Sequence, residues 1–406
     1  MTVIQIFGIA GILLIIGFLA DFLFRKTGFP DILILIAVGY IIGPLYHIVD
    51  PTEVAQAAQL IASLALIVII FNGGIRFDIS EVLSSAPRAV LLVILGVAIS
   101  IAAIAAPTFL LFHWQLLDSI LLGTVVGGTS SAIVIGLISR AKVSPNITSL
   151  LSLESVLNSP IVIVIALIVL QAISAGEAGV QLSSIGQAIG TRIAVGFGVG
   201  IAAGFFWLWM LILMQKEEYN DVLNLAIVFL LYFVVEYFNG SGVVFALVFG
   251  LILGNGITVG KFRLEQTTQA VNMMRHFTSE IYFFVKTFFF IYLGLIITFD
   301  QPLLVAFGAG AAILLLLGRY IVVLISSMGS DELFSHRGLL TTMMARGESS
   351  AVLIQLVIAA KIQNADVYPN LVMSIILTTV IISATGMLIF GRRMDKVMPE
   401  LASINE

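Results

Sequence analysis

Apolar runs of about 20 residues recur along the chain, parted by short charged or Pro/Gly-rich breaks. Coiled as a helix, a run of that length spans the hydrocarbon core of a bilayer. The pattern predicts thirteen spans, near 4–24, 31–48, 56–72, 87–112, 117–138, 148–173, 187–214, 222–238, 241–254, 277–298, 302–328, 338–361 and 370–390. The ninth is short and reads as tilted or partly buried by its neighbours. The stretch Val259–His276 carries Lys261, Arg263, Glu265 and Arg275, and reads as an amphipathic interfacial segment leading into the tenth span. The first run has no basic leader and no small-residue cleavage site, so it is read as a retained span. The prediction is an all-α membrane protein, a single membrane domain over 1–406 with no soluble domain.

Composition sharpens this class. Hydrophobic residues make up 60% of the chain, charged residues 10%, and mean hydropathy is +1.14, whereas soluble domains carry about a quarter charged residues. With no cysteine, disulfide, thiolate and Cys-based metal chemistry are excluded. The four histidines fall in predicted loops or span ends and do not pair at metal-ligand spacing, so no resident metal is expected. A net charge of -4 does not suggest a nucleic-acid partner. The chain has no nucleotide-binding glycine motif, HExxH or Gly-x-Ser-x-Gly. Neither an ATP-driven pump nor an enzyme is indicated and no cofactor is expected; the energy source would be an ion gradient.

Loop charges orient the spans. Fourteen of the nineteen Lys and Arg residues fall on one side, among them Arg25, Arg88, Arg140 and Arg393. Arg192 and Lys361 fall on the other, and Lys286, Arg319 and Arg346 lie within spans. Basic loops stay cytoplasmic, which puts the N-terminus outside and the C-terminus in the cytoplasm of a multi-pass protein of the cell membrane.

Ionisable residues inside spans are costly and mark function by default. In span 6, Glu154, Ser155, Asn158 and Ser159 share one helix face, just before Pro160. Arg346 in span 12 lies at a depth similar to Glu154, which predicts a Glu154–Arg346 ion pair, either structural or accompanying direct ion binding by Glu154. Arg319, Glu280 and Glu236 read as structural. Gly123–Ala132 in span 5 and Ala345–Ala351 in span 12 are glycine- and serine-rich. They read as breaks in two helices of opposite direction, each fifth in a set of six, or otherwise as glycine-rich packing faces. The first reading gives two inverted repeats, about 4–173 and 222–390, joined by a linking helix at about 187–214, with the two broken helices crossing at mid-membrane.

These residues resemble the NhaP-type branch of the cation:proton antiporter superfamily. The likeness runs through KTGFPDILILIAVGYIIGP (Lys26–Pro44), FNGGIRFDIS (Phe71–Ser80), GGTSSAIVIGLISR (Gly127–Arg140), LESVLNSP (Leu153–Pro160), FVKTFFFIYLGLII (Phe284–Ile297) and MARGESSAV (Met344–Val352). It implies the NhaA/NhaP-like fold of thirteen helices in a homodimer, with a six-helix core that moves as an elevator and exchanges Na+ or K+ for H+. It also implies ion-site roles for Thr129, Ser130, Glu154, Ser155, Asn158 and Ser159, the Arg346 pairing with Glu154, and a basic core residue at Lys286. Two positions depart from the pattern. Ser130 and Ser159 stand where the family has aspartates, and a hydroxyl does not titrate near neutral pH as a buried carboxylate does.

Glu348 stands where the family motif has a small or apolar residue. It is read either as the exchangeable carboxylate, with the hydroxyls and Asn158 as oxygen ligands, or as a charge partner of Lys286. The function expected is exchange of a monovalent cation for protons. The alternatives are a cation or small-solute facilitator without proton coupling, and a transport-inactive membrane relative.

Overall fold

The computed structural model describes residues 3–49, 51–76, 79–139, 143–174, 182–213, 220–256, 265–298 and 301–391. The helices in chain order are α1 (Val3–Thr27), α2 (Asp31–Tyr40, continued by a wide turn over Ile41–Leu45), α3 (Pro51–Arg76) and α4 (Ile79–Leu111). Next come α5 (Leu116–Val125), α6 (Ser131–Ile138), α7 (Pro145–Ser174), α8 (Leu182–Leu213), α9 (Asn220–Tyr237) and α10 (Gly242–Gly254). The last are α11 (Glu265–Ile296), α12 (Pro302–Ser326), α13 (Asp331–Ser335), α14 (Arg337–Thr342), α15 (Glu348–Ala360) and α16 (Tyr368–Gly386, continued to Gly391). Among the described residues, seven helices are long and apolar enough to cross a membrane, and six further apolar helices are shorter. The start of the proposed interfacial segment, 259–264, lies outside the described residues, and its remainder is the first part of α11, which begins at Glu265.

The helices form because backbone N–H and C=O groups have no water to bond within a bilayer and must pair inside their own segment. Their outer faces are apolar. On α1, Ile4, Phe7, Ile12, Ile15 and Phe18 are all exposed, as expected of side chains that face lipid.

The chain divides into two compact units. One comprises 56–84 and 175–289. Its helices meet through small residues, which let backbones approach closely where lipid supplies no hydrophobic drive. Gly196, Gly200 and Gly204 recur every four residues on α8, and a Cβ on Gly196 would lie 2.3 Å from the Ser241 carbonyl oxygen. On α10, a Cβ on Gly254 would lie 2.1 Å from the Ile75 carbonyl oxygen. Phe245 and Phe249 stack beside this contact at 5.3 Å. Glu236 of this unit pairs with Arg192 at 2.9 Å and accepts the Gly242 N–H at 2.8 Å, a structural role at the α9–α10 turn.

The other unit comprises 1–55, 85–174 and 290–406. It holds both interrupted spans. Span 5 appears as α5 and α6, with 126–130 non-helical between them. Span 12 appears as α14 and α15, with 343–347 extended between them.

Candidate functional site

Breaking a helix orphans backbone groups, and buried in a membrane protein these must find partners. The two breaks supply them for each other. The Ser130 N–H donates to the Ala345 carbonyl at 2.7 Å, so the two non-helical segments are hydrogen-bonded where they meet. Gly347 allows this approach: a Cβ there would lie 2.8 Å from Ser130 Oγ. Two hydroxyls four residues apart on α16 complete the span 12 segment. Thr379 Oγ1 accepts the Arg346 N–H at 3.1 Å. Ser383 Oγ accepts the Met344 N–H at 3.2 Å and donates to the Thr342 carbonyl at 2.8 Å.

The side chains around the crossing form a buried polar cluster. Glu154 on α7 is bound by Arg319 of α12 through both carboxylate oxygens, Nη2 reaching Oε2 at 2.6 Å and Nη1 reaching Oε1. Arg319 Nε donates to the Leu340 carbonyl at 3.1 Å, so all three nitrogens of its guanidinium are engaged. The Glu154–Arg346 pair expected from sequence is therefore not formed. Arg346 instead donates through Nη1 to the Gly127 carbonyl at 2.9 Å and through Nη2 to Ser100 Oγ at 3.1 Å. The physical reason is the break itself. It frees the Gly127 carbonyl at the end of α5, and Arg346, on the partner break, is the donor that satisfies it.

Asn158 donates to Thr129 Oγ1 at 2.9 Å and to Glu154 Oε1 at 3.2 Å. Ser159 Oγ donates to the Thr129 carbonyl at 3.5 Å, and Ser155 Oγ donates to the Ser152 carbonyl at 3.0 Å. Between these groups lies a cavity of about 10 Å³, close to the room one water needs. It is lined by Gly96, Ser100, Gly127, Thr129, Glu154, Asn158, Arg319 and Arg346. Four buried polar atoms at or beside the crossing have no hydrogen-bond partner: Arg346 Nε, Asn158 Oδ1, Ser130 Oγ and Ser350 Oγ. Buried groups are rarely left so, and here they mark a place prepared for a ligand or solvent.

Of the residues singled out in the sequence, Thr129, Glu154, Asn158 and Arg346 line the cavity, while Ser130, Ser155, Ser159 and Glu348 do not. Ser130 and Ser155 are nonetheless buried beside it, and Ser159 is bonded to its rim. Glu348 is buried at the first position of α15. Lys286 belongs to the other unit, where its ammonium lies 5.6 Å from the Tyr282 ring centre. Arg319, read from sequence as structural, takes the partnership expected of Arg346. Ser100, Thr379 and Ser383 were not anticipated, since hydroxyls in apolar helices commonly bond their own preceding turn. The four-residue spacing of Thr379 and Ser383 was the available cue.

An all-helical membrane chain with two interrupted helices bonded across a buried polar cavity has the architecture of a secondary transporter. A model of the sodium/hydrogen exchanger transmembrane region matches residues 11–390, and the chain belongs to that family. It is 25% identical over 386 residues to a K(+)/H(+) antiporter NhaP2 of Shewanella sp. (strain MR-4), covering 92% of this chain and 64% of that one. The chain thus spans a little under two thirds of the length of that relative. It is 28% identical over 346 residues to a probable Na(+)/H(+) antiporter 2 of Methanocaldococcus jannaschii, covering 80% of this chain and 78% of that one. Its fold is that of the sodium proton antiporter MjNhaP1 from Methanocaldococcus jannaschii at pH 8, with a TM-score of 0.77 over 97% of both chains at 20% identity. The chain is a multi-pass membrane protein of this family.

Proposed function

We propose that the chain is a secondary active transporter that exchanges a monovalent cation, Na+ or K+, for protons. The observation that carries this reading is the hydrogen-bonded crossing of the two interrupted spans over a buried polar cavity. The names of its relatives, K(+)/H(+) and Na(+)/H(+) antiporters, support the cation and proton class. The seven long and six shorter apolar helices found among the described residues overlap the thirteen apolar runs one apiece, which supports a thirteen-span topology. The loop charges support an outside N-terminus and a cytoplasmic C-terminus. Inverted repeats, a homodimer and an elevator motion of the core follow from the family resemblance and belong to the same proposal.

In this reading Thr129, Ser130, Ser155, Asn158 and Ser159 supply neutral oxygens, and Lys286 is the basic residue of the core. The exchangeable proton has to reside on a carboxylate. Glu154 is bound on both oxygens by Arg319, and we assign the role to Glu348, buried at the first position of α15 beside the span 12 break. The test is proton flux from proteoliposomes holding a pH gradient. Adding Na+ or K+ should dissipate the gradient in the native chain and not in Glu348→Gln. A gradient that neither cation dissipates would overturn exchange, and full flux in Glu348→Gln would overturn the assignment to Glu348.

One observation favours a second reading, transport without proton coupling. The one carboxylate that lines the cavity is held by a bidentate arginine, and Ser159 offers only a hydroxyl. Tracer uptake insensitive to the pH gradient would select this reading.

A further inference from the structure

The cavity lining carries two guanidiniums, Arg319 and Arg346, against one carboxylate, Glu154. Both oxygens of that carboxylate are taken by Arg319. Arg346 faces only neutral acceptors, the Gly127 carbonyl and the Ser100 hydroxyl. It is 3% exposed, and its Nε–H has no partner. The lining thus holds two guanidiniums to one carboxylate in a region of low dielectric, and among the described residues no carboxylate is hydrogen-bonded to Arg346, so an anion beside it is favoured. The space beside it holds about one water.

We infer that this cavity binds a small inorganic anion of the chloride class, held by Arg346. A monatomic halide suits the space because it needs no fixed geometry and accepts the spare N–H bonds of a guanidinium, which has five. Hydrogen bonds to such a charged group are the strong kind. Sulfate, carboxylates and phosphate are too large for a site of this volume. This occupant is opposite in charge to the transported ion. On the exchange reading proposed above it has a further consequence: halide and cation contend for one cavity with room for about one water, so that chloride should slow cation exchange. The binding itself does not rest on that reading.

The test uses the full chain in detergent at fixed pH and ionic strength, with choline as the only cation. Thermal unfolding is followed by tryptophan fluorescence while choline chloride replaces choline gluconate. Tm should rise saturably with chloride or bromide and stay flat with gluconate or sulfate. In Arg346→Gln the apparent chloride Kd should weaken by about tenfold or more, the loss of a charge-assisted bond. Arg346→Lys, which keeps the charge and removes the Nε–H, should fall between the two. Should neither variant fold, the halide-against-gluconate series on the native chain decides alone. Equal Tm in chloride and gluconate would mean that the cavity holds water only, and would overturn the inference. An undiminished chloride shift in Arg346→Gln would place the anion elsewhere and overturn it too. A chloride shift without cation-driven proton flux would sink the exchange reading and leave the anion site standing.

Discussion

The two units solve the problem of packing helices in lipid in opposite ways. At the α8–α10 and α3–α10 contacts the helices run unbroken and glycines bring the cylinders together, with one backbone bond, from the Ser241 N–H at the start of α10 to the Arg192 carbonyl of α8, at the helix end. At the crossing of the two breaks the backbone leaves the helix, and other parts of the chain must complete it: a second break, two hydroxyls of α16 and an arginine. The first kind of contact is mainly apolar, with its polar bonds at the helix ends. The second is a network in which each member has a particular partner. Such networks are costly when one member is lost and are the natural place for a polar ligand.

The comparison predicts where single changes do the most harm. The largest effect is expected at the buried pair. Arg319→Ala leaves Glu154 charged and unpaired, which should cost about 3–5 kcal/mol, while the double change Arg319→Met with Glu154→Leu should cost far less. Unfolding in detergent with denaturant measures both, and equal loss in the single and double variants would contradict the pairing. Next comes Gly254→Val in the glycine-packed unit. Its added carbons meet backbone rather than a flexible side chain, with an expected loss of about 1–3 kcal/mol from overpacking. The fluorescence melt should register it, with cation or halide affinity unchanged. A change in affinity would show that the two kinds of contact are not separate.

A loss of the same order, about 1–3 kcal/mol, is expected for Thr379→Val, which leaves the Arg346 N–H without its acceptor. Here the diagnostic is function. The variant should fold yet lose transport and ligand-induced stabilisation, because the extended segment bearing Arg346 is no longer held. The smallest effect lies outside the spans. Glu332 accepts from Ser144 Oγ and from Asn146 Nδ2, tying the start of α7 to α13. The Ser144 bond, chiefly, holds its carboxyl below the ordinary value of 4.5, with burial opposing and Asn146 and His336 assisting. A lowered carboxylate pKa stabilises the folded state above the unfolded value and is lost as pH falls through the folded one. Ser144→Ala should therefore lower Tm slightly at pH 6 and converge with the native chain as pH falls below 4.5 and through the lowered folded value.

Much of the architecture was legible before any coordinates. The apolar runs fall on helices, and the clusters Gly123–Ala132 and Ala345–Ala351 fall on the interruptions. Length and glycine content fix those features locally. The partner of Glu154 was misread because depth along a span is encoded in sequence, whereas the rotation of one helix against another is not. Arg319 and Arg346 both lie within spans, and neighbouring helices decide which of them meets the carboxylate. The target of Arg346 was harder still. The Gly127 carbonyl becomes an acceptor only once α5 ends at Val125, so no pattern of side chains announces it. Ser100, on the uninterrupted α4, carries no local mark of its role.

The bond from Arg346 to the Gly127 carbonyl joins positions 219 residues apart. A chain entering the membrane in order of synthesis presents the first break long before its complement exists. Until the twelfth span arrives, the Gly127 carbonyl and the Ser130 N–H have neither water nor partner at membrane depth. The first break is thus committed to an unfinished state that only the segment around Arg346 resolves. Truncations ahead of Arg346 should be retained by the insertion machinery or degraded, even where every earlier span has the hydrophobicity to insert alone.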